Sequence, residues 1–269
     1  MNPKNIKLAI FDIDGTLIKR KELTIRESAV KAIRQLQENG IEVMIATGRA
    51  FYFIQDDIHT TINPDFYVTI NGAIVYNNNK DVIHSVPMDP KEVNALTSFA
   101  RENGFGIGYK LNDDMKIYSN YKIFTEVYLQ GSPKAHILKD FTDAPLLTQE
   151  DEQPKGIFLM GDESLIEQAR CTLIDSKLSK AYTDAYDVYS LRAGKMKGIQ
   201  VVLDQLGLDW SQVIAFGDAD NDVDMLSAAS IGVAMGDAPD HVKASADFVT
   251  KDLEEDGIAY AIQDIFKFN

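Results

Sequence analysis

The stretch AIFDIDGTLI, residues 9–18, ends an apolar strand in two carboxylates, Asp12 and Asp14, and then turns at Gly15. Residues two apart in an extended chain point to the same side, so both carboxylates can face one site where the strand ends. Carboxylates held close repel each other unless a cation intervenes, and a hard cation such as Mg²⁺ prefers oxygen ligands. One carboxylate could then bind the metal and attack phosphorus while the other moves a proton. The alternative is a solvated turn, because Asp-Gly-Thr is ordinary turn chemistry.

Strand and helix patterns alternate around this stretch and again near the end of the chain. Strands are predicted at residues 7–13, 41–47, 212–218 and 230–235, and helices at 24–40, 49–60, 197–207, 219–229 and 252–266. Near-continuous apolar strands between amphipathic helices predict an α/β fold with a Rossmann-like, doubly wound parallel sheet. Thr24 and Glu27 form a predicted capping box for the first helix, and Gly40 is its predicted end.

The middle of the chain has a different pattern. Shorter strands are predicted at residues 105–111, 115–119, 155–161 and 187–191, among helices at 90–103 and 163–178. This segment has the size of a small domain. We therefore predict a core made of residues 1–81 and 189–269, with an inserted α+β domain at residues 82–188.

Charge and composition exclude several classes of partner. Acidic residues outnumber basic ones by 41 to 27, for a formal net charge of −14, which argues against binding to nucleic acid or anionic membranes. The one cysteine, Cys171, cannot form a disulfide within the chain and favours a reducing compartment. No apolar run approaches the roughly 20 residues of a membrane span, and the N-terminal run is too short for a signal peptide. We expect a cytoplasmic protein, and the oligomeric state stays open.

Two further stretches suit an anionic ligand. IATGR, residues 45–49, ends a predicted strand in Thr47, Gly48 and Arg49, and a hydroxyl with backbone N–H groups where a helix begins suits a phosphate oxygen. Arg49 could contact a substrate or pair only locally. GKMKGIQ, residues 194–200, places Lys195 and Lys197 at a helix start, where the helix dipole disfavours a cation unless an anion lies nearby. The alternative is two solvated lysines.

Acidic residues crowd the loop after a late strand. AFGDADNDVDML, residues 215–226, contains Asp218, Asp220, Asn221, Asp222 and Asp224. Capping of the next helix explains some of these carboxylates, but it does not need four aspartates in seven positions.

Asn71-Gly72 lies between two predicted strands, where a tight hairpin turn is the simplest interpretation.

Taken together, these motifs resemble those of the haloacid-dehalogenase superfamily: D-x-D-G-T, T-G-R, a lysine followed by glycine, and G-D-x-x-N-D. The resemblance implies that Asp12 is the nucleophile and Asp14 the general acid and base. It implies Lys197, which precedes Gly198, as the catalytic lysine, although Lys195 makes this assignment ambiguous. The implied ligands of Mg²⁺ are Asp12, Asp14 through its backbone carbonyl, Asp218 and Asp222. The implied phosphate or substrate contacts are Thr47, Gly48, Arg49, Asn71 and Asn221.

Motif spacing places the inserted domain within this resemblance. Only 33 residues separate Asp14 from Thr47, whereas 150 separate Thr47 from Lys197. An insertion between the second and third motifs is the class-two cap arrangement, and the motif forms are similar to those of the Cof-type branch. The expected activity is a Mg²⁺-dependent phosphatase acting on small phosphomonoesters, sugar phosphates above all, through an aspartyl-phosphate. Aromatic residues of the cap could line its pocket or form its core: Tyr109, Tyr118, Tyr121, Phe124 and Tyr128.

Three other functions fit parts of the pattern. A phosphomutase or phosphotransferase would use the same aspartate pair and pass the phosphoryl group to a second hydroxyl. A phospho-accepting signalling module also clusters aspartates, a threonine and a lysine on a parallel sheet, but it needs only one small domain. A metabolite-binding protein without catalysis would bind phosphorylated compounds and leave them unchanged.

Overall fold

The structure is a computed structural model that describes residues 3–19, 22, 24–129, 132–182 and 184–268. The strands found in these ranges are β1 (Leu8–Phe11), β2 (Glu42–Ala46), β3 (Phe66–Thr69), β4 (Ile74–Asn77), β5 (Val82–Ser85), β6 (Gly106–Lys110), β7 (Met115–Ser119), β8 (Leu138–Asp140), β9 (Gly156–Met160), β10 (Ser176–Tyr182), β11 (Ala185–Ser190), β12 (Val213–Gly217), β13 (Ile231–Ala234) and β14 (Phe248–Val249). The α-helices are α1 (Glu27–Glu38), α2 (Pro90–Asn103), α3 (Tyr121–Ile123), α4 (Glu163–Gln168), α5 (Lys195–Leu206), α6 (Val223–Ala228), α7 (Asp240–Lys243) and α8 (Gly257–Phe266). None of the helices described is both long enough and apolar enough to cross a lipid bilayer.

The chain divides into two compact units. The first unit contains Met1–Thr47, Ile54–His84 and Lys195–Asn269, and the second contains Gly48–Phe53 and Ser85–Gly194. The predicted insertion, residues 82–188, covers most of the second unit. The short segment Gly48–Phe53 belongs to the second unit by its contacts, although it directly follows β2 in the sequence.

The first unit is built on an eight-stranded sheet with the order β14-β13-β12-β1-β2-β3-β4-β5. The strands from β14 to β3 run parallel, and β4 is antiparallel to β3. All four residues of β1 are buried, as expected for a strand covered on both faces. The predicted α/β fold with a parallel sheet is confirmed.

Helices α5 and α6 cover one face of this sheet. Ile199, Val202 and Leu203 of α5 pack in one apolar cluster with Leu8 and Ile10 of β1. Buried positions in α5 recur three and four residues apart, which is the spacing of one helix face. The sheet position of α5 therefore determines which of its residues can reach the carboxyl ends of the strands.

Three predicted helix starts in the first unit are wrong. Helix α8 begins at Gly257 and not at residue 252, and a 3₁₀ turn at Leu253–Glu255 precedes it. Helix α1 begins after Arg26, whose side chain makes no capping hydrogen bond, so the predicted box of Thr24 and Glu27 does not form. Its end is as predicted, because Gly40 has a left-handed φ of +74° and Ile41 donates to the Leu36 carbonyl. Helix α6 begins at Val223 and not at residue 219, because the Asp222 carboxylate accepts hydrogen bonds from the backbone of the preceding loop.

The predicted helix at residues 49–60 is also wrong. The chain forms a 3₁₀ turn at Phe51–Phe53 and then a single π turn at Ile58–Ile62. The first turn is closed by a hydrogen bond from Phe53 N to Ala50 O at 2.9 Å. The break between the two turns coincides with the boundary between the units, since Gly48–Phe53 belongs to the second and Ile54–His84 to the first.

The second unit is an α+β domain with a six-stranded sheet of order β10-β11-β9-β6-β7-β8. Its strands pair antiparallel except for β7 with β8. The helix predicted at residues 163–178 ends early, and Ser176–Tyr182 forms strand β10. The buried carboxylate of Glu92 accepts hydrogen bonds from the backbone N–H groups of Ile174 and Asp175, which holds this segment out of a helix.

The aromatic residues of the second unit are mostly core. Tyr109 and Tyr118 are buried and stack with ring centroids 4.1 Å apart, and Phe124 is fully buried. The hydroxyl of Tyr109 forms a hydrogen bond with Thr97. Of the five candidates for a pocket lining, these three therefore form the interior of the unit.

We predict that Gly198→Ala destabilises the protein although alanine is the better helix former. A Cβ at position 198 would lie 2.7 Å from Cγ1 of Val68 and 3.1 Å from Cα of Gly72. Overpacking of this kind costs about 1–3 kcal/mol, which outweighs a helix-propensity gain of about 1 kcal/mol. Urea unfolding measures the difference. The exposed Gln205→Ala on the same helix is the control, and a more stable Gly198→Ala would contradict the close packing.

We predict that Glu42→Gln stabilises the protein at pH 7 and has little effect at pH 4. Oε2 of Glu42 is buried and has no hydrogen-bond partner among the residues that the structure describes. Burial, followed by repulsion from Asp65, raises the pKa of Glu42 above its ordinary value. Because the unfolded chain ionises at lower pH, the stability contributed by neutral Glu42 is present below about pH 4.5 and lost as pH rises through the folded pKa. Thermal unfolding at both pH values tests this, with the exposed Glu38→Gln as control. An equal gain at pH 4 would show that charge is not the cause.

Candidate active site

Polar side chains meet at the carboxyl ends of three neighbouring strands. Asp12 follows β1, Thr47 follows β2 and Asp218 follows β12, and β1 lies between the other two strands in the sheet. The backbone continues the pairing, since Asp12 N donates to Phe216 O at 3.1 Å. Parallel strands carry all three residues to the same edge of the sheet.

A buried ammonium group occupies the centre of this edge. Nζ of Lys195 lies 2.6 Å from Oδ1 of Asp12 and 2.6 Å from Oδ1 of Asp222. The side chains of the three residues are 2%, 8% and 0% exposed. Lys195 therefore links the residue after β1 to the loop after β12.

The structure places Lys195, and not the predicted Lys197, beside the aspartates. Lys197 precedes Gly198 as the motif requires, but its position is exposed, whereas Lys195 is buried against Asp12 and Asp222. The periodicity of the helix indicates Lys195, because Lys195 lies three and four residues before the buried Gly198 and Ile199 and so shares their face. Lys197 lies two residues further along, on another face of the helix. Gly198 has a packing role, as its α-carbon faces Val68 and Gly72.

Asp222 holds the loop that carries Asp218. Oδ2 of Asp222 accepts hydrogen bonds from the backbone N–H groups of Asp218 and Ala219, both at 3.1 Å. Its other oxygen binds Lys195. Asp218 is half-buried, whereas Asp220 and Asp224 are exposed, and Asp220 pairs with His241. The four aspartates therefore divide into two that face the site and two that face solvent.

Asn71 and Asn221 meet above the strand ends. Nδ2 of Asn221 donates to Oδ1 of Asn71 at 3.1 Å, and Asn71 N donates to Thr47 O at 3.0 Å. The turn is longer than the predicted two-residue hairpin, since Ile70, Asn71 and Gly72 all have positive φ angles. This backbone places the Asn71 amide beside the loop after β12.

The remaining predicted phosphate contacts lie in or next to the short segment after β2. Thr47 is buried and its N–H donates to Val68 O at 2.8 Å. Gly48 and Arg49 belong to the second unit, where Gly48 O accepts from Lys110 Nζ at 3.2 Å and Arg49 Nη1 donates to Phe53 O at 3.0 Å. Arg49 thus has a local partner, as one of its two interpretations required.

Negative charge dominates the electrostatics of the site. Burial raises the pKa of Asp12 above its ordinary value, and the charges of Asp222, Asp218 and Asp14 raise it further against the opposing effect of Lys195. Burial alone would lower the pKa of Lys195, but Asp12 and Asp222 outweigh it and raise that pKa, so Lys195 is protonated. One ammonium group does not balance the carboxylates around it.

The donor set fits a hard divalent cation. Ligand atoms of Asp12, Asp218 and Asp222 lie within 4.8 Å of one another. Carboxylate oxygens are the ligands such cations prefer, and a cation here would offset the charge that raises the pKa of Asp12. Geometry, donor chemistry and charge therefore agree that these residues can bind a metal ion.

Comparison with known proteins identifies the family. A model of the haloacid dehalogenase-like hydrolase family matches residues 9–262, so the chain belongs to that family. The Cof-type branch expected from the motifs is confirmed.

Relatives and solved structures agree on the activity. YkrA of Bacillus subtilis, provisionally named a phosphatase, is 31% identical over 265 residues, covering 96% of this chain and 97% of YkrA. The 5-amino-6-(5-phospho-D-ribitylamino)uracil phosphatase YitU of the same organism is 29% identical over 276 residues, covering 96% of this chain and 97% of YitU. A longer Streptococcus pyogenes relative is 29% identical over 266 residues, and the chain spans 54% of its length.

Among solved structures, that of the subclass IIB sugar phosphatase BT4131 matches with a TM-score of 0.83 and 26% identity, covering 97% of this chain and 100% of that one. A protein of Geobacillus kaustophilus matches with a TM-score of 0.84 and 30% identity, covering 98% of this chain and 100% of that one. The protein is accordingly a phosphatase, a hydrolase of phosphoric monoesters.

We predict that Lys195→Met abolishes most phosphatase activity while Lys197→Met retains it. Removing Lys195 leaves Asp12 and Asp222 without their shared cation and removes a positive charge beside the reacting group, a loss of about 10²–10³ in kcat. Steady-state kinetics compare the two variants, and circular dichroism checks that both fold. The reverse ranking would restore Lys197 to the site.

Proposed function

We propose that this phosphatase is Mg²⁺-dependent and hydrolyses small phosphorylated metabolites through an aspartyl-phosphate on Asp12. One observation carries the proposal: the buried Asp12 contacts Lys195 and has ligand atoms of Asp218 and Asp222 within 4.8 Å. Phosphate-monoester hydrolysis is among the slowest uncatalysed reactions, with enzymatic accelerations up to about 10²¹. A covalent route divides that barrier into two smaller ones.

In the first half of the proposed reaction, a carboxylate oxygen of Asp12 attacks phosphorus and the bond to the ester oxygen breaks. Asp14 donates its proton to the leaving alcohol. The charge of Asp14 contributes to the raised pKa of Asp12, which supports placing both carboxyl groups at this strand end. Lys195 stays protonated and compensates the negative charge of the transferring group.

In the second half, Asp14 takes a proton from water, and the water oxygen attacks the phosphorus of the aspartyl-phosphate. The bond between phosphorus and Asp12 breaks, which releases inorganic phosphate and restores the carboxylate. Asp14 returns to its protonated form, so the proton balance over both halves is closed.

Asp12, Asp218 and the backbone carbonyl of Asp14 are the proposed ligands of Mg²⁺. Asp222 already accepts hydrogen bonds from Lys195, Asp218 N and Ala219 N, which favours an indirect role for it. When bound, Mg²⁺ would supply positive charge next to the phosphoryl oxygens.

The Thr47 hydroxyl and Asn221 are proposed phosphate contacts, since both residues lie at the same end of the sheet as Asp12. Gly48, Arg49 and Asn71 complete the proposed set. The hydrogen bond between Asn71 and Asn221 supports the pair acting together, because it fixes the orientation of the Asn221 amide.

Sugar phosphates are the proposed substrate class. BT4131 is described as a sugar phosphatase, and the YitU substrate carries a phosphate on a ribityl chain. A phosphate on a short polyhydroxylated chain is common to both. We propose that the second unit is a cap that selects this leaving group and excludes water during the reaction.

Phosphate release from a panel of phosphomonoesters tests the proposal. The panel contains sugar phosphates, phosphoribityl compounds, phosphorylated vitamins and nucleotides, each assayed with Mg²⁺ and with EDTA. We expect Mg²⁺-dependent release from a few sugar or polyol phosphates. Asp12→Asn should lose at least about 10³ in kcat, because the amide has the same shape but is a far poorer nucleophile.

Asp220→Asn is the matched control, because Asp220 lies in the same loop as Asp218 but is exposed. It should retain activity. Transfer of the phosphoryl group to a second hydroxyl without free phosphate would favour a phosphotransferase. Binding of phosphorylated compounds without turnover would favour a protein without catalysis, and either result would contradict the proposed hydrolysis.

A further inference from the structure

Thr16 contacts the proposed metal site, yet the reaction above assigns it no role. Oγ1 of Thr16 donates a hydrogen bond to Oδ1 of Asp218 at 2.9 Å. Thr16 is fully buried, and 202 positions separate the two residues in the chain. The carboxylate that binds this buried hydroxyl belongs to a distant segment of the chain. The Gly-Thr pair after Asp14 therefore contributes to the contact between the loop after β1 and the loop after β12.

The other carboxylate oxygen of Asp218, Oδ2, packs closely against Gly15. A Cβ at position 15 would lie 2.2 Å from Oδ2 of Asp218 and 2.6 Å from its Cγ, so any larger residue would displace the carboxylate. Gly15 also has a φ of +98°, which favours glycine. Gly15 and Thr16 therefore form a cradle: the first residue leaves space for the Asp218 carboxylate and the second binds it.

Backbone hydrogen bonds hold the loop that contains Gly15 and Thr16. Gly15 N donates to Ile18 O at 2.9 Å, and Leu17 N and Ile18 N donate to Ile13 O at 3.0 and 2.9 Å. Leu17 and Ile18 are each 1% exposed. These backbone hydrogen bonds and the burial of Leu17 and Ile18 fix the position of Thr16 between them.

The Asp218 carboxylate lies close to two other carboxylates, so a hydrogen bond that fixes its orientation has a physical role. Ligand atoms of Asp12, Asp218 and Asp222 lie within 4.8 Å of one another, and like charges at this separation repel. Asp218 is half-buried, whereas Asp12 and Asp222 are buried. Nζ of Lys195 binds Asp12 and Asp222, and the hydroxyl of Thr16 binds Asp218.

We infer that Thr16 is a positioning residue that orients the Asp218 carboxylate for metal binding. The inference rests on the metal site of the proposed function. Hydrogen bonds to a metal ligand typically change metal affinity about 10–100-fold. Thr16 acts through Asp218, and it does not itself touch substrate or the reacting atoms.

Direct binding of Mg²⁺ to the substrate-free protein tests the inference. Isothermal titration calorimetry gives the Kd for wild type, Thr16→Val, Thr16→Ser and Thr16→Ala. We expect Thr16→Val to raise the Kd about 10–100-fold, because valine has nearly the same shape and cannot donate a hydrogen bond. Thr16→Ser retains the donor and should restore the Kd to within about threefold of wild type. Thr16→Ala is a second variant without the hydroxyl.

Thr69→Val is the matched control, since Thr69 is fully buried in the same unit and its hydroxyl donates to Ile74 O. It should leave the Kd unchanged. Kinetics give a second readout: at saturating Mg²⁺, kcat of Thr16→Val should return close to that of wild type, while the Mg²⁺ concentration for half-maximal activity rises.

Two results overturn the inference in distinguishable ways. If wild type binds Mg²⁺ and Thr16→Val and Thr16→Ala bind it with the same Kd, Thr16 does not orient Asp218 and the proposed function stands. If wild type does not bind Mg²⁺ and is equally active in EDTA, the metal site of the proposed function fails together with the inference.

Discussion

The contact of Lys195 with Asp12 and Asp222 is the interaction on which the rest of the site depends. Its ammonium group joins the residue after the central strand β1 to the loop after β12, and Asp222 in turn holds the backbone of that loop. Buried ion pairs contribute little net stability, because desolvation offsets the Coulomb attraction. The arrangement is therefore better understood as a positioning device. It requires helix α5 to approach the sheet closely, and Gly198 permits that approach.

Sheet order explains why residues so distant in sequence meet. Strand β1 lies between β2 and β12, so the loops after these three strands share one edge. The turn after β3 bends back over this edge with Ile70, Asn71 and Gly72 all at positive φ. A β-branched residue in this region costs about 1–3 kcal/mol and persists only where the surroundings hold it. Here Asn71 N bonds to Thr47 O, and the Asn71 side chain reaches Asn221.

The sequence predicted helices and strands correctly where the local preference of the chain and its packing in the fold favour the same structure. Strands β1, β2, β12 and β13, helix α2 at Pro90–Asn103 and the end of α1 at Gly40 formed as expected. Two of the failures occurred where a side-chain carboxylate binds backbone N–H groups. Glu92 drew Ile174 and Asp175 out of a predicted helix, and Asp222 delayed the start of α6. The sequence around Ile174 does not reveal the contact with Glu92, because that carboxylate lies 82 positions away in the chain. Asp222 acts within its own loop, on N–H groups three and four residues before it.

The sequence by itself determined the fold class, the two aspartates at the end of β1 and the acidic loop after β12, because buried strands and turn residues leave a local periodic signal. Only the tertiary structure decided between Lys195 and Lys197, since the choice depends on which face of α5 packs on the sheet. The tertiary structure also brought the hydroxyl of Thr16 to the carboxylate of Asp218, although 202 positions separate the two residues in the chain. A hydrogen bond between distant segments depends on the relative placement of strands, and that placement is a property of the assembled sheet.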